Sequence, residues 1–456
     1  MTTLSDTSAK RISRSRLRRS ISLLAAAGRG AWRAGLALAV PGKGRERRKE
    51  EAMLRTAEDV TKLMGNMKGV SMKLGQVMSL MGGAVPEGFA EKLSTLQAQA
   101  PPMAPELVRQ VFLEDFGQPP EKLFRRFETR PFAAASIGQV HRAQLSDGRH
   151  VAVKVQYPGV ADAIAADLSN IGTLLAFMGL AARGLDPGPM VEDIRRGIGA
   201  ELDYQLEAVN QQRFGDLFRD HPFIRIPAVY PELGSKRVLL QEFVEGQPFN
   251  AARAMSQEER NHIAEIIFRF TFGCIHRHGL FQADPHAGNY LLLKDGTVAF
   301  LDFGCIAEFT RPLLAGINEL IGGVLTGDHE RWRRGLIAVG YLKEGSDLDT
   351  EEMWEQMRVY YTFVLEDNVT FTPEVSAAMI RQNLQLTGEA GRINRQMNIP
   401  EGVVFTQRIT FGFTGLMASI RATGPWKSIT EEYVFGREPA TELGRLSAAH
   451  SPTTWV

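Results

Sequence analysis

Within residues 283–304 the chain sets Asp284 and Asn289 five residues apart, follows them with a β-hairpin, and ends in Asp302-Phe303-Gly304. Tyr290 to Leu293 and Val298 to Leu301 are short apolar runs on either side of the turn sequence Lys294-Asp295-Gly296, and so read as paired strands. Asp302 offers a carboxylate and Asn289 an amide oxygen. Mg²⁺ prefers hard oxygen ligands and takes few protein carboxylates, filling its other positions with phosphate oxygens and water. Asp284 is then placed to accept a proton or orient a nucleophile. Gly304 lets the backbone turn sharply beside the metal. Asp-Phe-Gly alone is a common turn tripeptide; joined to an Asp and an Asn at this spacing it is hard to ascribe to chance.

The pattern is the metal-and-phosphate apparatus of kinase-like enzymes, and the upstream half agrees with it. Lys154 interrupts the apolar strand Val151-Ala152-Val153-Lys154-Val155, where a lone ammonium needs an anionic partner. Eighteen residues earlier, Ala133-Ala134-Ala135-Ser136 stands where kinases hold a glycine-rich loop over the phosphates. Alanine restricts φ, so phosphate handling there should differ. Gln241 to Val244, with Glu242 and Val244 in it, takes the place of the hinge that reads adenine. The cofactors expected are ATP or ADP and Mg²⁺. His286 is open to two readings, a γ-phosphate contact or a cap on its own loop.

Periodicity sets the organisation. Met53 to Met81 carries apolar or small residues in alternating steps of four and three, as a buried helical stripe does. Gly82-Gly83 and Pro86 stop it, a second helix starts near Pro86, and Pro101-Pro102 mark a linker. Residues 106–117, 162–182 and 192–218 read as helices, and 237–244 as a strand. From Ser256 onward the pattern is helical apart from the hairpin. This predicts an α+β, two-lobed, kinase-like fold with a basic arm (1–50), a helical extension (51–105), an N-lobe (106–245), a helical C-lobe (246–446) and a frayed tail (447–456).

The formal charge of +1 argues against a nucleic-acid-binding surface, but it hides an asymmetry. Residues 1–50 hold 13 Lys/Arg against 3 Asp/Glu, a charge of +10, so the other 406 residues sum to −9. Such an arm suits an anionic lipid surface or is a solvated tail. The longest uncharged apolar run outside it, Ile171 to Ala182, has 12 residues, whereas a spanning helix needs roughly 20. A cytoplasmic protein, peripheral at the membrane at most, is expected. Cys274 and Cys305 read as packing residues.

Lys73-Leu74-Gly75-Gln76, the alanine loop, Glu201-Leu202-Asp203, Asp284 to Asn289 and Asp302-Phe303-Gly304 together resemble the UbiB/AarF family of atypical protein-kinase-like proteins. The resemblance implies that Lys73 and Gln76 lie on an extension packed over the peptide side of the cleft, where Glu201 and Asp203 pair with it. It implies that Glu207 is the acidic partner of Lys154. It further implies adenine-nucleotide binding, lipid-stimulated ATPase activity, and a role in ubiquinone or related isoprenoid-lipid synthesis at membranes beside quinone-pathway proteins. Only Cys305 to Thr310 separate Gly304 from the next helical pattern, too little chain to hold a peptide substrate. Catalysis is thus expected from Asp284, Lys154 and Lys73, with Lys73 and the alanines also holding basal turnover low. Two alternatives are a nucleotide-gated lipid-presenting module and a small-molecule kinase.

Overall fold

The computed structural model describes residues 103–135, 137–162, 164–165, 188–384, 388–398 and 408–450. The basic arm, the Met53–Met81 stripe with Lys73 and Gln76, the segment after Pro86, Ser136 and most of 162–182 lie outside the described residues. The chain divides into two compact units, residues 1–104 with 157–191, and residues 105–156 with 192–456. Of the first, residues 157–162 form a turn entering a helix. The second carries everything that follows.

Helix α1 (Pro105–Phe116) buries Val108, Val111 and Phe112. Phe112 meets Phe124 and Phe127 edge-on, with ring centroids 6.0 and 5.7 Å apart. An antiparallel sheet follows, of β1 (Arg126–Phe127), β2 (Ala133–Ala135), β3 (Gly138–Gln144), β4 (His150–Gln156) and, later in the chain, β6 (Val238–Glu242). Its order is β1-β3-β4-β6, with β2 also paired to β3. Val151, Val153 and Val155 of β4 are fully buried, which is why this stretch reads as continuous apolar chain rather than as an alternation.

One expectation is corrected here. Ala133, Ala134 and Ala135 are not a loop but strand β2, opposite Val140, Gln139 and Gly138. Small side chains at three successive positions let the backbone extend and pair. Gly138 then carries the steric requirement. A Cβ there would lie 2.2 Å from the Val155 carbonyl oxygen. Gly138→Ala must push β3 off β4, and we expect it to cost on the order of 3 kcal/mol. A urea midpoint equal to wild type would show that the turn yields freely.

The helical reading of 192–218 is also corrected, since it is two helices, α2 (Gly188–Glu201) and α3 (Tyr204–Leu217). Asp203 breaks the run because its carboxylate caps α3, taking the N–H groups of Gln205 and Leu206 at 3.1 and 3.3 Å. Strands β5 (Ile224–Arg225) and β7 (Gln247–Pro248) were not legible as strands. They flank the hairpin described next, in the order β5-β10-β9-β7.

Helix α4 (Gln257–His278) is the axis of the helical lobe, opened by a Ser256–Glu259 capping box and closed by Gly279 at φ 61°. It leads into β8 (Leu280–Gln282), the hairpin β9 (Tyr290–Leu292) and β10 (Val298–Phe300), and β11 (Ile306–Glu308), which returns to pair with β8. Then come α5 (Arg311–Thr326), α6 (His329–Val339), α7 (Thr350–Met357), α8 (Pro373–Leu384), α9 (Gly388–Gln396), the two-stranded ladder of β12 (Val369–Thr370) with β13 (Thr423–Gly424), α10 (Trp426–Phe435) and α11 (Glu442–His450). Phe268, Phe270, Phe300 and Trp426 centre the main apolar core. The expected frayed tail from 447 is corrected over its first four residues: α11 runs to His450, with Ser447 buried and 3.3 Å from His221 Nε2. Among the described residues no helix is long and apolar enough to cross a membrane.

Candidate active site between the sheet and the helical lobe

Lys154 reaches its partners because β4 fixes its register, opposite Val140 on β3 and Leu239 on β6. The Asp203 cap sets where α3 begins, and Glu207 falls one turn inside it. Lys154 Nζ donates to both Glu207 oxygens at 2.8 and 3.0 Å and to Asp302 Oδ2 at 3.1 Å. The Tyr204 ring lies beneath the ammonium, its centroid 4.9 Å from Nζ. The Glu207 side chain is 2% exposed and that of Asp302 27%, so the cluster runs from dry interior to the mouth of the cleft.

One ammonium faces two carboxylates. Burial alone would lower the Lys154 pKa, but Asp302 and then Glu207 outweigh it and hold it well above the ordinary value. Burial pushes the Glu207 carboxyl up to about 7, with Lys154 opposing. A folded-state pKa above the unfolded one means the stabilising contribution is complete below the unfolded value, 4.5, and is lost as pH rises through about 7. The stability of wild type minus that of Glu207→Gln should therefore fall by up to about 3 kcal/mol as pH is raised across that window. Urea titrations at several pH values read this directly, and a flat difference would show that Glu207 keeps an ordinary pKa.

The loop bearing Asp284 is braced along its length. Ala283 N–H reaches the Cys305 carbonyl at 2.8 Å, His286 N–H the Asp284 carbonyl at 2.8 Å, and Asn289 N–H the His286 carbonyl at 2.9 Å. His286 Nδ1 accepts the Gly288 N–H at 3.1 Å, so that nitrogen caps the loop. Asn289 Nδ2 donates to the Asp284 carbonyl at 2.9 Å. Because a carbonyl can only accept, this bond fixes which end of the amide is the donor and leaves Asn289 Oδ1 as its acceptor. The Asp302-Phe303-Gly304 backbone is held on three sides. Gly304 N–H returns to Asp302 Oδ1 at 3.0 Å, Asn210 Nδ2 donates to the Phe303 carbonyl at 3.1 Å, and Gln282 Nε2 donates to the Asp302 carbonyl. Phe303 is fully buried against Phe214, their centroids 4.9 Å apart.

An amide oxygen from Asn289 and a carboxylate from Asp302 are donors whose chemistry fits Mg²⁺, a cation content with few protein ligands. The structure thus gathers Lys154, Glu207 and Asp302 by direct contact, and binds Asp284 and Asn289 into one loop. Of the other candidates, Glu201 is near enough to the cluster for its charge to add to burial in raising the Glu207 carboxyl. The Glu242 carboxylate is 2.7 Å from Arg225 and its N–H serves the Ala228 carbonyl, so that side chain and that donor are engaged within the fold. Val244 follows, half-buried. Asp203 caps α3 and lies 3.7 Å from Lys236, and Glu201 is buried at the end of α2. Between Gly304 and α5 there is room only for β11 and the cap Thr310.

Sequence reasoning passed over Tyr204, Asn210, Gln282 and Arg142. Arg142 lies opposite Ala152, two positions from the Lys154 row, and stacks on Phe243 at 4.2 Å. Its register was readable from strand alternation once β3 was paired with β4. The others depend on contacts between residues 20 to 93 positions apart, which carry no local pattern.

Comparison with known proteins adds relationship to this geometry. A family model described as the ABC1 atypical kinase-like domain matches residues 95–335. The chain is 29% identical over 394 residues to the atypical kinase coq-8, mitochondrial, of Caenorhabditis elegans, covering 84% of this chain and 52% of that protein. It is 30% identical over 361 residues to AarF domain-containing protein kinase 1 of Xenopus laevis, covering 74% and 69%. A solved structure, titled the complex structure of Rv3197-erythromycin from Mycobacterium tuberculosis, superposes with a TM-score of 0.62 at 29% identity, covering 85% of this chain and 98% of that one. The chain spans about half the length of several curated relatives, from 38% to 55%.

Proposed function

The chain belongs to the ABC1 atypical kinase-like family, the UbiB family whose relatives bear the names COQ8 and AarF domain-containing kinase, and from that premise we propose that it binds Mg-ATP and hydrolyses it in support of ubiquinone or related isoprenoid-lipid metabolism at a membrane surface. The observation that carries this reading is the contact of Lys154 with both Glu207 and Asp302 across the cleft. When nucleotide enters, Lys154 turns from Asp302 to the phosphates while Glu207 keeps it in place. Asp302 and Asn289 would hold Mg²⁺, which would supply charge neutralisation for the phosphate oxygens. Asp284 orients the attacking water and takes its proton. The short segment before α5 supports hydrolysis over transfer to a peptide. The basic arm, +10 over residues 1–50, supports attraction to anionic lipid.

The test is Mg²⁺-dependent ATP hydrolysis by the intact chain, with and without liposomes containing anionic lipid, alongside calorimetric binding of ATP and ADP. Turnover that rises with anionic but not neutral liposomes is the expected result. Absence of Mg²⁺-dependent nucleotide binding would overturn the reading. Binding without turnover under every lipid condition would turn it into a nucleotide-gated presenting module.

A further inference from the structure

At the amino-terminal end of α4 the surface opens into a cavity of about 540 Å³, within the range of about 300 to 1,000 Å³ typical of small-molecule sites. It lies far from the chemistry. Sixteen residues of α4 separate His262 in its wall from His278, where the helix ends before β8, a helical rise of about 24 Å. The walls come from α4, from the turn between β13 and α10, and from the first turns of α11.

The walls are already held by bonds that do not involve a ligand. Asn261 Oδ1 accepts the Thr423 N–H at 2.8 Å and Gln257 Nε2 at 2.7 Å. Trp426 Nε1 donates to the Val369 carbonyl at 2.9 Å, and Asn368 N–H to the Gly424 carbonyl at 3.1 Å. Asn368 at φ 60° lines the cavity, and Arg421 at φ 51°, whose carbonyl takes Gln257 Nε2, stands beside it. Among the described residues only Asp220 shares this non-glycine left-handed backbone. A cavity framed in this way exists before any ligand arrives, which lowers the cost of binding one.

Its chemistry is one-sided. Two carboxylates, Glu265 and Glu442, line it, and among the described residues no Lys or Arg does. Glu265 shares a single guanidinium, Arg269, with Glu432, which takes two of that group's nitrogens. His262 Nε2 lies 3.2 Å from the Gly296 carbonyl, so Nε2 carries the proton and Nδ1 is left as an acceptor. Against these acceptors stand the apolar side chains of Leu443 and Leu446, the last 46% exposed at the rim, with the buried Trp426 behind them.

We propose that this cavity binds a small organic cation, an amine or guanidine carried on a hydrocarbon body. An anion meets Glu442 and the Glu265–Glu432 pair, against which stands only the one guanidinium of Arg269, set behind the lining. A plain hydrocarbon leaves the acceptors desolvated and unpaired. An amphiphilic cation satisfies both walls at once. The site is separate from the nucleotide cleft and does not depend on the activity proposed there.

The experiment compares calorimetric binding of 3-phenylpropylammonium and its uncharged counterpart 3-phenylpropanol to the intact chain. The ammonium should bind at least about tenfold more tightly, a difference of about 1.4 kcal/mol. Glu442→Gln and Leu446→Ser alter two exposed positions and should each weaken the ammonium about fivefold or more, while nucleotide affinity stays at wild type. Equal affinity for the two probes, no binding of either, or ammonium affinity unchanged in both variants would overturn the proposal. Tenfold tighter binding of a lysine-containing peptide would also overturn it, and make the cavity a protein-docking site.

Discussion

Asp302→Asn is expected to lower Mg²⁺-dependent ATP turnover by about a thousandfold while barely moving the urea midpoint. Asparagine keeps the size of the side chain and an oxygen for the Gly304 N–H, which Asp302 now accepts at 3.0 Å. Lys154 keeps its two contacts with Glu207 at 2.8 and 3.0 Å. What disappears is a charge at the half-exposed end of the cluster, the end that faces the cleft. Two binding measurements should then move in opposite directions. Without metal, nucleotide affinity should rise, because one negative charge no longer repels the phosphates. With Mg²⁺, the gain in affinity that the metal confers on wild type should vanish. Were turnover and metal dependence both to survive, Asp302 would be a structural acceptor for Lys154 and the metal reading would fail.

Lys154 tests the other half of the cluster. Lys154→Met leaves Glu207 buried with no cation, and at pH 8 this should cost about 3 to 5 kcal/mol. At pH 6 the cost should shrink, since a carboxyl already pushed up to about 7 takes a proton readily once the ammonium is gone. The double variant Lys154→Met with Glu207→Leu removes both charges together and should recover to within about 1 kcal/mol of wild type. Nucleotide binding should be lost in the single and the double variant alike. Stability that recovers without binding assigns the pair to function; a double variant as unstable as the single would mean that the loss comes from packing around α3.

How much of this was legible in the sequence follows from chain distance. Asp284, Asn289 and Asp302 were readable because a hairpin of fixed length carries them, so spacing translates into geometry. Lys154 announced itself as a charge inside an apolar strand, but its partner, 53 residues on, came from resemblance and not from any local pattern. The alanines were misjudged because a strand of three small residues and a loop of three small residues have the same composition. The strand became visible only when Ala133–Ala135 found Gly138–Val140 opposite. Asp203 illustrates a different limit: the acidic motif was visible, but its role as the cap that sets the register of Glu207 depends on where α3 starts. The cavity beside α4 joins residues from 261 to 446 and has no signature in the chain at all.

The bracing of Asp302-Phe303-Gly304 decides which chemical probes this protein can accept. One class of cleft ligand needs the phenylalanine swung out of its pocket, and so selects a state that must already be sampled. Here such a swing breaks the bonds from Asn210 to Phe303 and from Gln282 to Asp302, and strains the β8–β11 ladder that begins two residues after Gly304. It also empties a site packed against Phe214. Ligands of that class would therefore bind weakly however well they fit the vacated space. Compounds that read the cleft with Phe303 in place meet no such penalty, and a screen for tool molecules should begin with them.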